Sequence, residues 1–193
     1  MSNLPTGAPD GAAFAASPLT RAVLEIDEYA AGFGWDQPAR FFALVDTAQL
    51  RAQEPGLAAQ LGLEEQQPAG GPGGVTYTPI EQDQLPAGQE LDEFLATVAW
   101  PEAVGGCAVT LERLMLPPSA EAALPEGLGG SELADWVAKH PERQEVRMTV
   151  GVLRDGAQEC AIRLREKDTA TEVLTGPELV PGLAQALAAT FAD

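Results

Sequence analysis

Histidine is almost missing from this chain: His140 is the only one in 193 residues. Cysteine is nearly as rare, with Cys107 and Cys160 alone. One histidine and two cysteines cannot assemble a usual zinc shell, and no EF-hand spacing of carboxylates occurs, so no metal and no cofactor are expected. A catalytic triad would have to use His140, which precedes Pro141 at the end of a helical stretch, where its charge suits the helix dipole. There is no G-x-S-x-G sequence and no dinucleotide fingerprint, and no catalytic residue is assigned. Basic residues are scarce too, 11 against 29 acidic, for a formal charge of −18. Such a field repels phosphate backbones and anionic lipid surfaces, so neither nucleic acid nor membrane is an expected partner. No apolar run reaches the ~18 residues of a membrane span, and the N-terminus lacks the basic and apolar regions of a signal peptide. The expectation is a cytoplasmic protein with two reduced, buried thiols. A disulfide would require the two cysteine strands to be neighbours.

What the chain has is a hairpin. Val146, Met148, Val150 and Val152 are apolar at period two, as are Cys160, Ile162 and Leu164. Between them lies Arg154-Asp155-Gly156. A two-residue turn would set Val150 opposite Ala161 and Met148 opposite Arg163, facing apolar against polar. A three-residue turn pairs Val150 with Cys160, Met148 with Ile162 and Val146 with Leu164. A one-residue slip turns every side chain over, so burial selects the second register, with Gly156 at positive φ. The same register places Arg147 opposite Arg163, with Arg165 two residues on. Seven of the 11 basic residues lie between Lys139 and Lys167. Like charges face to face need a counter-charge. Glu159, Glu145 or a neighbouring-strand acid such as Glu112 is the plainer source, and an external anion the sharper one.

The remaining elements follow in order. Residues 1–16 read as a disordered tail. Ser17 caps and Pro18 opens a helix with Leu19, Val23, Ile26, Ala30 and Phe33 inward, Glu25, Asp27 and Glu28 outward, and Gly32 and Gly34 at its end. Trp35 to Pro38 is a turn. Arg40–Asp46 is apolar on both sides and reads as a strand covered on both faces. Thr47 caps a short helix, and a second short helical piece follows. Residues 64–74 form a flexible Gly/Pro insert without phosphate-loop context. Val75–Glu81 reads as a strand that lies at an edge or ends at Pro79, because Pro79 cannot donate to a ladder. Glu81 and Asp83 follow each other in an acidic loop of the kind chance supplies in so acidic a chain. Leu91 to Val98 is a helix, and Cys107–Leu116 a long strand. Ser131 caps a helix with Leu133, Trp136 and Val137 inward. Leu179, Leu183, Leu187 and Phe191 share one stripe of the last helix. The expected fold is α+β: residues 17–193 form one domain with a single antiparallel sheet of about five strands and helices packed against it, in the order α-β-β-β-α-β-β-α with short helical insertions.

Several segments together carry a resemblance: GWDQPARFFALVDTAQLRAQEP, TPIEQDQLP, VAWPEAVGGCAVTLERLMLPPSAEAALP, VRMTVGVLRDGAQECAIRLREKD and LVPGLAQALAATF. They resemble an uncharacterised actinobacterial family of small acidic cytoplasmic proteins, which implies an actinobacterial source and a cytoplasmic place but no activity. The element order is similar, more distantly, to the acidic secretion-chaperone superfamily, whose members bind extended client segments, usually as dimers; the insertions and the Gly/Pro segment depart from it. Two roles remain. The first is a non-catalytic protein-binding, chaperone-like or adaptor module, with a protein partner or a second copy held at an exposed sheet face or groove around Trp35, Trp100 and Trp136. The alternative is an enzyme or binding protein for a small anionic ligand held by Arg147, Arg163 and Arg165.

Overall fold

The hairpin forms in the register that burial selects. In a computed structural model that describes residues 16–63, 74–86 and 88–192, Val146 pairs with Leu164, Met148 with Ile162 and Val150 with Cys160. Leu153 N–H donates to Ala157 O across the turn, and Gly156 takes φ 93°. These two strands, β4 (Gln144–Leu153) and β5 (Gln158–Leu164), are the fourth and fifth in the chain. Before them come β1 (Arg40–Asp46), β2 (Tyr77–Glu81) and β3 (Val104–Met115), and after them β6 (Leu174–Gly176). All adjacent pairs are antiparallel, in the order β2-β1-β3-β4-β5-β6. The fold is α+β as expected, with six strands rather than about five. β6 has three residues, too few to show a period in the sequence.

Helices cover both faces of the sheet. One face carries Phe42, Leu44, Ala108 and Ala161, which pack on Leu19, Val23 and Ile26 of α1 (Pro18–Ala31). Gly151 on β4 lets that helix approach: a Cβ there would lie 2.8 Å from Val23 Cγ2 and 3.1 Å from Leu19 Cδ1. The opposite face buries Phe41, Val109, Val146, Val150 and Cys160 against α4 (Leu91–Leu95) and α7 (Pro181–Ala189). A third cluster joins Ala43, Val45 and Val104 to Leu50 and Ala58 of the short helices α2 (Thr47–Gln53) and α3 (Pro55–Gln60). Cys107 and Cys160 are free and buried, and β4 lies between the strands that carry them. Burial pushes the Cys107 thiol up to about 12, so it is a packing group and not a nucleophile.

Both sheet edges are blunted. Thr47 N–H donates to Thr76 O and Gln82 N–H to Phe41 O. The alternation of an antiparallel ladder therefore turns Thr78 and Ile80 towards β1 and leaves Pro79, which lacks an N–H, facing outward on β2. At the other edge β6 is three residues long and is followed by Pro177.

Several local expectations need correction. Ser17 caps α1, accepting from Thr20 N–H at 3.0 Å. Asp46, however, and not Thr47, caps α2, taking Ala48 N–H at 2.8 Å and Gln49 N–H at 3.3 Å. The Thr47 hydroxyl instead meets Thr76 O and the Thr78 hydroxyl, tying α2 to the edge strand. Between β3 and the next helix the chain forms α5 (Pro118–Glu121), a single turn that no periodicity marks in the sequence. Gly129, not Ser131, precedes α6 (Gly130–Lys139), its N–H donating to Glu132 Oε2 at 3.1 Å. No residue of α6 is buried and Leu133 is exposed, because this helix rests only lightly on β3. Leu179 precedes α7 and is exposed, and Phe33 lies beyond the end of α1, also exposed. Asp27 faces inward. His140 sits at the C-cap of α6 as expected, its Nδ1 accepting from Glu142 N–H. Residues 1–15 of the expected tail and 64–73 of the expected insert lie outside the described residues. No helix among the described residues is long and apolar enough to cross a membrane.

The close approach of α1 at Gly151 sets a stability test. Gly151→Ala forces a methyl into Val23 and Leu19, an overpacking that costs about 1–3 kcal/mol. A urea unfolding curve would show the midpoint drop. An unchanged midpoint would mean that α1 does not press on the sheet there.

Candidate functional site

The arginine row lies where the register puts it, Arg147 opposite Arg163, but it is roofed over. Arg147 is 2% exposed and Arg163 4%. Asp27 of α1, expected outside, is 1% exposed and receives Arg163 side-on: Nη2 to Oδ2 at 2.6 Å, Nε to Oδ2 at 3.1 Å. Arg163 Nη1 also donates to Asp168 Oδ1 at 3.1 Å. Arg147 Nη2 donates to Glu112 Oε1 at 3.1 Å and to Gly34 O. Arg165 binds both oxygens of Asp36 at 3.1 Å, and Glu145 as well. Five carboxylates thus answer three guanidiniums, leaving two negative charges in excess. Glu112 and Glu145 act as the plainer expectation had them, whereas Glu159 accepts from Thr20 Oγ1 instead.

The turn after α1 completes the roof. Gly34 and Asp36 take the left-handed conformation, φ 79° and 64°. That bend aims the Asp36 and Gln37 N–H groups at Glu112 Oε2, at 2.7 and 3.3 Å. It also lays the Trp35 ring against the guanidinium of Arg147, 4.5 Å from its centroid, and near that of Arg165 at 5.6 Å. Trp35 Nε1 donates to Asp168 Oδ2 at 2.9 Å. This bond first, and the Arg163 hydrogen bond after it, hold the Asp168 carboxyl below the usual carboxylate range.

The three tryptophans are not brought together. Trp35 belongs to the arginine roof. Trp136 sits on α6 against His140, 4.8 Å between ring centroids. Trp100 lies on the α7 side of the sheet, stacked on Phe191, with Nε1 donating to Thr190 Oγ1 at 2.9 Å. Arg154, from the hairpin turn, pins the segment that carries it by donating to the carbonyls of Trp100, Pro101 and Val104 at 3.1, 2.9 and 2.7 Å.

Trp100 borders the first of two apolar concavities that flank the β1–β2 margin, one on each face. The groove on the Trp100 side encloses about 430 Å³ between Phe41, Val45, Ile80, Phe94 and Val98, with Asp83 at its rim. On the α1 side a cavity of about 340 Å³ lies between Ile26, Phe42, Leu61, Pro79 and Ile80, with Glu25, Tyr29 and Glu81 as its polar lining. Ile80 lines both. Around the second, Tyr29 is 46% exposed, Phe33 47% and Leu61 42%. At this margin β1 is buried, whereas β2 is only partly covered. Glu81, read from sequence as a loop acid beside Asp83, ends β2 and is bound by Arg40 Nη1 at 2.6 Å and Tyr29 Oη at 2.8 Å.

Sequence reasoning missed Asp27, although its spacing was informative: it falls four residues after Val23 and three before Ala30, inside the buried stripe of α1. The α1-side cavity had no such signal, because α3, α1 and β2 meet there only through tertiary packing. Among the described residues no group of three or more His, Cys, Asp or Glu side chains is placed to hold a metal ion.

Removing one partner of the Asp27–Arg163 pair leaves a buried charge unanswered. Asp27→Ala should lower unfolding stability by about 3–5 kcal/mol, and the double replacement Asp27→Leu with Arg163→Met should recover much of that loss. Equal midpoints for Asp27→Ala and the parent in urea would contradict the buried pair. Asp168 gives the pH dependence. Its pKa is lower folded than unfolded, so its stabilisation is complete above the unfolded value of about 3.9 and disappears as pH falls through the lower folded value. Asp168→Asn should therefore lose stability at about pH 7 and flatten the acid limb of the stability curve, a comparison that thermal melts across that limb would make.

Comparison with curated proteins gives no match, and comparison with solved structures gives none. A family model does match, and it runs from Leu19 in α1 to residue 192, through every strand and both concavities. The family is described as PPA1309-like protein, and over residues 19–192 this chain belongs to it.

Proposed function

We propose that this chain is a non-catalytic module that binds a protein partner, in the manner of an adaptor or chaperone-like protein, at the β1–β2 margin. The observation that carries the reading is the pair of open apolar concavities on the two faces of that margin, joined at Ile80 and bordered by the exposed side chains of Tyr29, Phe33 and Leu61. Pro79 faces outward on the edge strand, so a partner is held by side chains seated in the grooves and not by an added strand. The charge of −18 favours a partner segment carrying basic residues and opposes a second copy of the same chain.

The element order adds support by analogy with the secretion-chaperone superfamily, though β6 and the helical insertions depart from it. A cytoplasmic place belongs to the same proposal, supported by two free thiols kept apart by β4. An actinobacterial source rests on the segments that carry the family resemblance. The alternative, a small anionic ligand on Arg147, Arg163 and Arg165, has less behind it, because five carboxylates of the chain itself already face those groups.

Peptides selected from a displayed random library against the chain, then mapped by amide shifts in NMR, test the proposal. The shifts should cluster at Tyr29, Ile80, Val98 and Trp100. Ile80→Asp, on both concavities, should weaken binding at least ~10-fold, while Leu133→Asp on α6 should leave it unchanged. Shifts clustered at α6, or insensitivity to Ile80→Asp in a chain with parental circular dichroism, would overturn it.

A further inference from the structure

The cavity on the α1 side contains two carboxylates in different conditions. Glu81 is fully committed, one oxygen to Arg40 and the other to Tyr29. Arg40 is committed in turn, with its guanidinium over the Phe33 ring at 4.2 Å. Glu25 has no such partner: among the described residues neither an ion pair nor a hydrogen bond reaches its carboxylate. Arg21, one turn earlier on α1, makes no ion pair with it, and its own Nε is buried without a partner. Glu25 is open to water at the cavity mouth, yet apolar neighbours crowd it enough that desolvation raises its carboxyl pKa. It is the only described carboxyl for which such a rise is resolved. A solvated surface acid on an acidic protein needs no explanation. Glu25 stands beside an apolar lining without an ion pair, so a cation placed in this cavity would find there the counter-charge that Glu81 has already given to Arg40.

We infer that this cavity is a socket for one long cationic side chain, arginine or lysine, of the partner segment, with the aliphatic stem against Ile26, Phe42 and Pro79 and the charged head on Glu25. The inference rests on the protein-binding reading and adds its chemistry. The volume of about 340 Å³ is at the small end of ligand sites, suited to one extended side chain and not to a cofactor. A basic side chain with an apolar stem matches this lining group for group: the stem replaces water on the apolar wall, and the head meets the one acid left free. Glu81, neutralised by Arg40, offers no second full charge, so the socket takes one cation and not two. It also gives the module a means of discrimination, since an acidic or phosphorylated segment would bring like charge to Glu25.

The test uses the full chain and two capped peptides, Leu-Arg-Leu and Leu-citrulline-Leu, which differ in charge and hardly in shape. Titration followed by amide shifts at Glu25, Tyr29 and Ile80 should show the arginine peptide binding at least ~10-fold more tightly. Glu25→Gln should remove that preference. Its fold should survive, because Glu25 is exposed and its carboxylate makes no ion pair. Glu28→Gln, which removes the same charge from α1 away from the cavity, should leave the preference intact. Equal binding of the two peptides would overturn the inference and leave an apolar docking site. An equal effect of Glu28→Gln would overturn it in favour of the diffuse charge of the chain. Library peptides that bind only in the Trp100 groove would sink the socket and spare the module, and no peptide on either face would sink both.

Discussion

The constraint on which the structure depends is the register of one hairpin. Val146, Met148 and Val150 reach the core only if they stand opposite Leu164, Ile162 and Cys160. That requirement sets Arg147 against Arg163 on the other face, beneath α1, where neither charge has water to dissolve it. Burying guanidiniums is tolerable only with counter-charges in good geometry. The chain supplies them from four separate places: Asp27 from α1, Asp36 from the turn that follows, Glu112 from β3, and Glu145 and Asp168 from the ends of the hairpin. A choice made for apolar burial on one face thus dictates the docking of a helix and the bend of a turn on the other. The left-handed Gly34 and Asp36 are intelligible in these terms, since they turn a carbonyl, an indole and a carboxylate onto the same two arginines.

Period, turn chemistry and proline position made most of the sheet legible. The alternation in β4 and β5 was long enough to select a register, and Pro79 narrowed β2 to an edge or a strand ending there, of which the edge is found. What escaped was set by tertiary context. β6 is too short for any period and exists because Leu174 and Gly176 lie along β5. Thr47 and Ser131 are good capping residues by type, but Asp46 and Gly129 stand one and two positions earlier, where the chain enters each helix. Asp27 was read by its charge and not by its position in the helical stripe. The apolar stripe of α6 was read as buried although only its edge touches the sheet.

The arginines show how one sequence signal admits two roles, of which internal pairing was the plainer. Seven basic residues within one region of an otherwise acidic chain suggest a surface that receives anions. In the fold, three of them are consumed internally, and Arg154 is consumed differently, by holding three backbone carbonyls under Trp100. Guanidiniums suit this work because a planar fork can satisfy several acceptors at once and stays charged when buried. The scarce cations are therefore spent on architecture, and the excess acid is left to face outward.

That division has a consequence at the β1–β2 margin. Helices press hardest on β4 and β5, where the arginine network and Gly151 draw α1 onto the sheet. At β2 the cover is only partial, and Tyr29, Phe33 and Leu61 near it are left exposed. An apolar margin set in a strongly acidic surface is selective by construction. In the proposed role, hydrophobic burial would supply affinity for many segments, and the surrounding field would admit basic ones faster and repel acidic ones. On the proposed reading Glu25 would concentrate that preference at one point, because Arg40 and Tyr29 have already taken Glu81 and no ion pair or hydrogen bond among the described residues reaches the Glu25 carboxylate. The same economy of cations that closes the arginine face leaves an acid free at the open one.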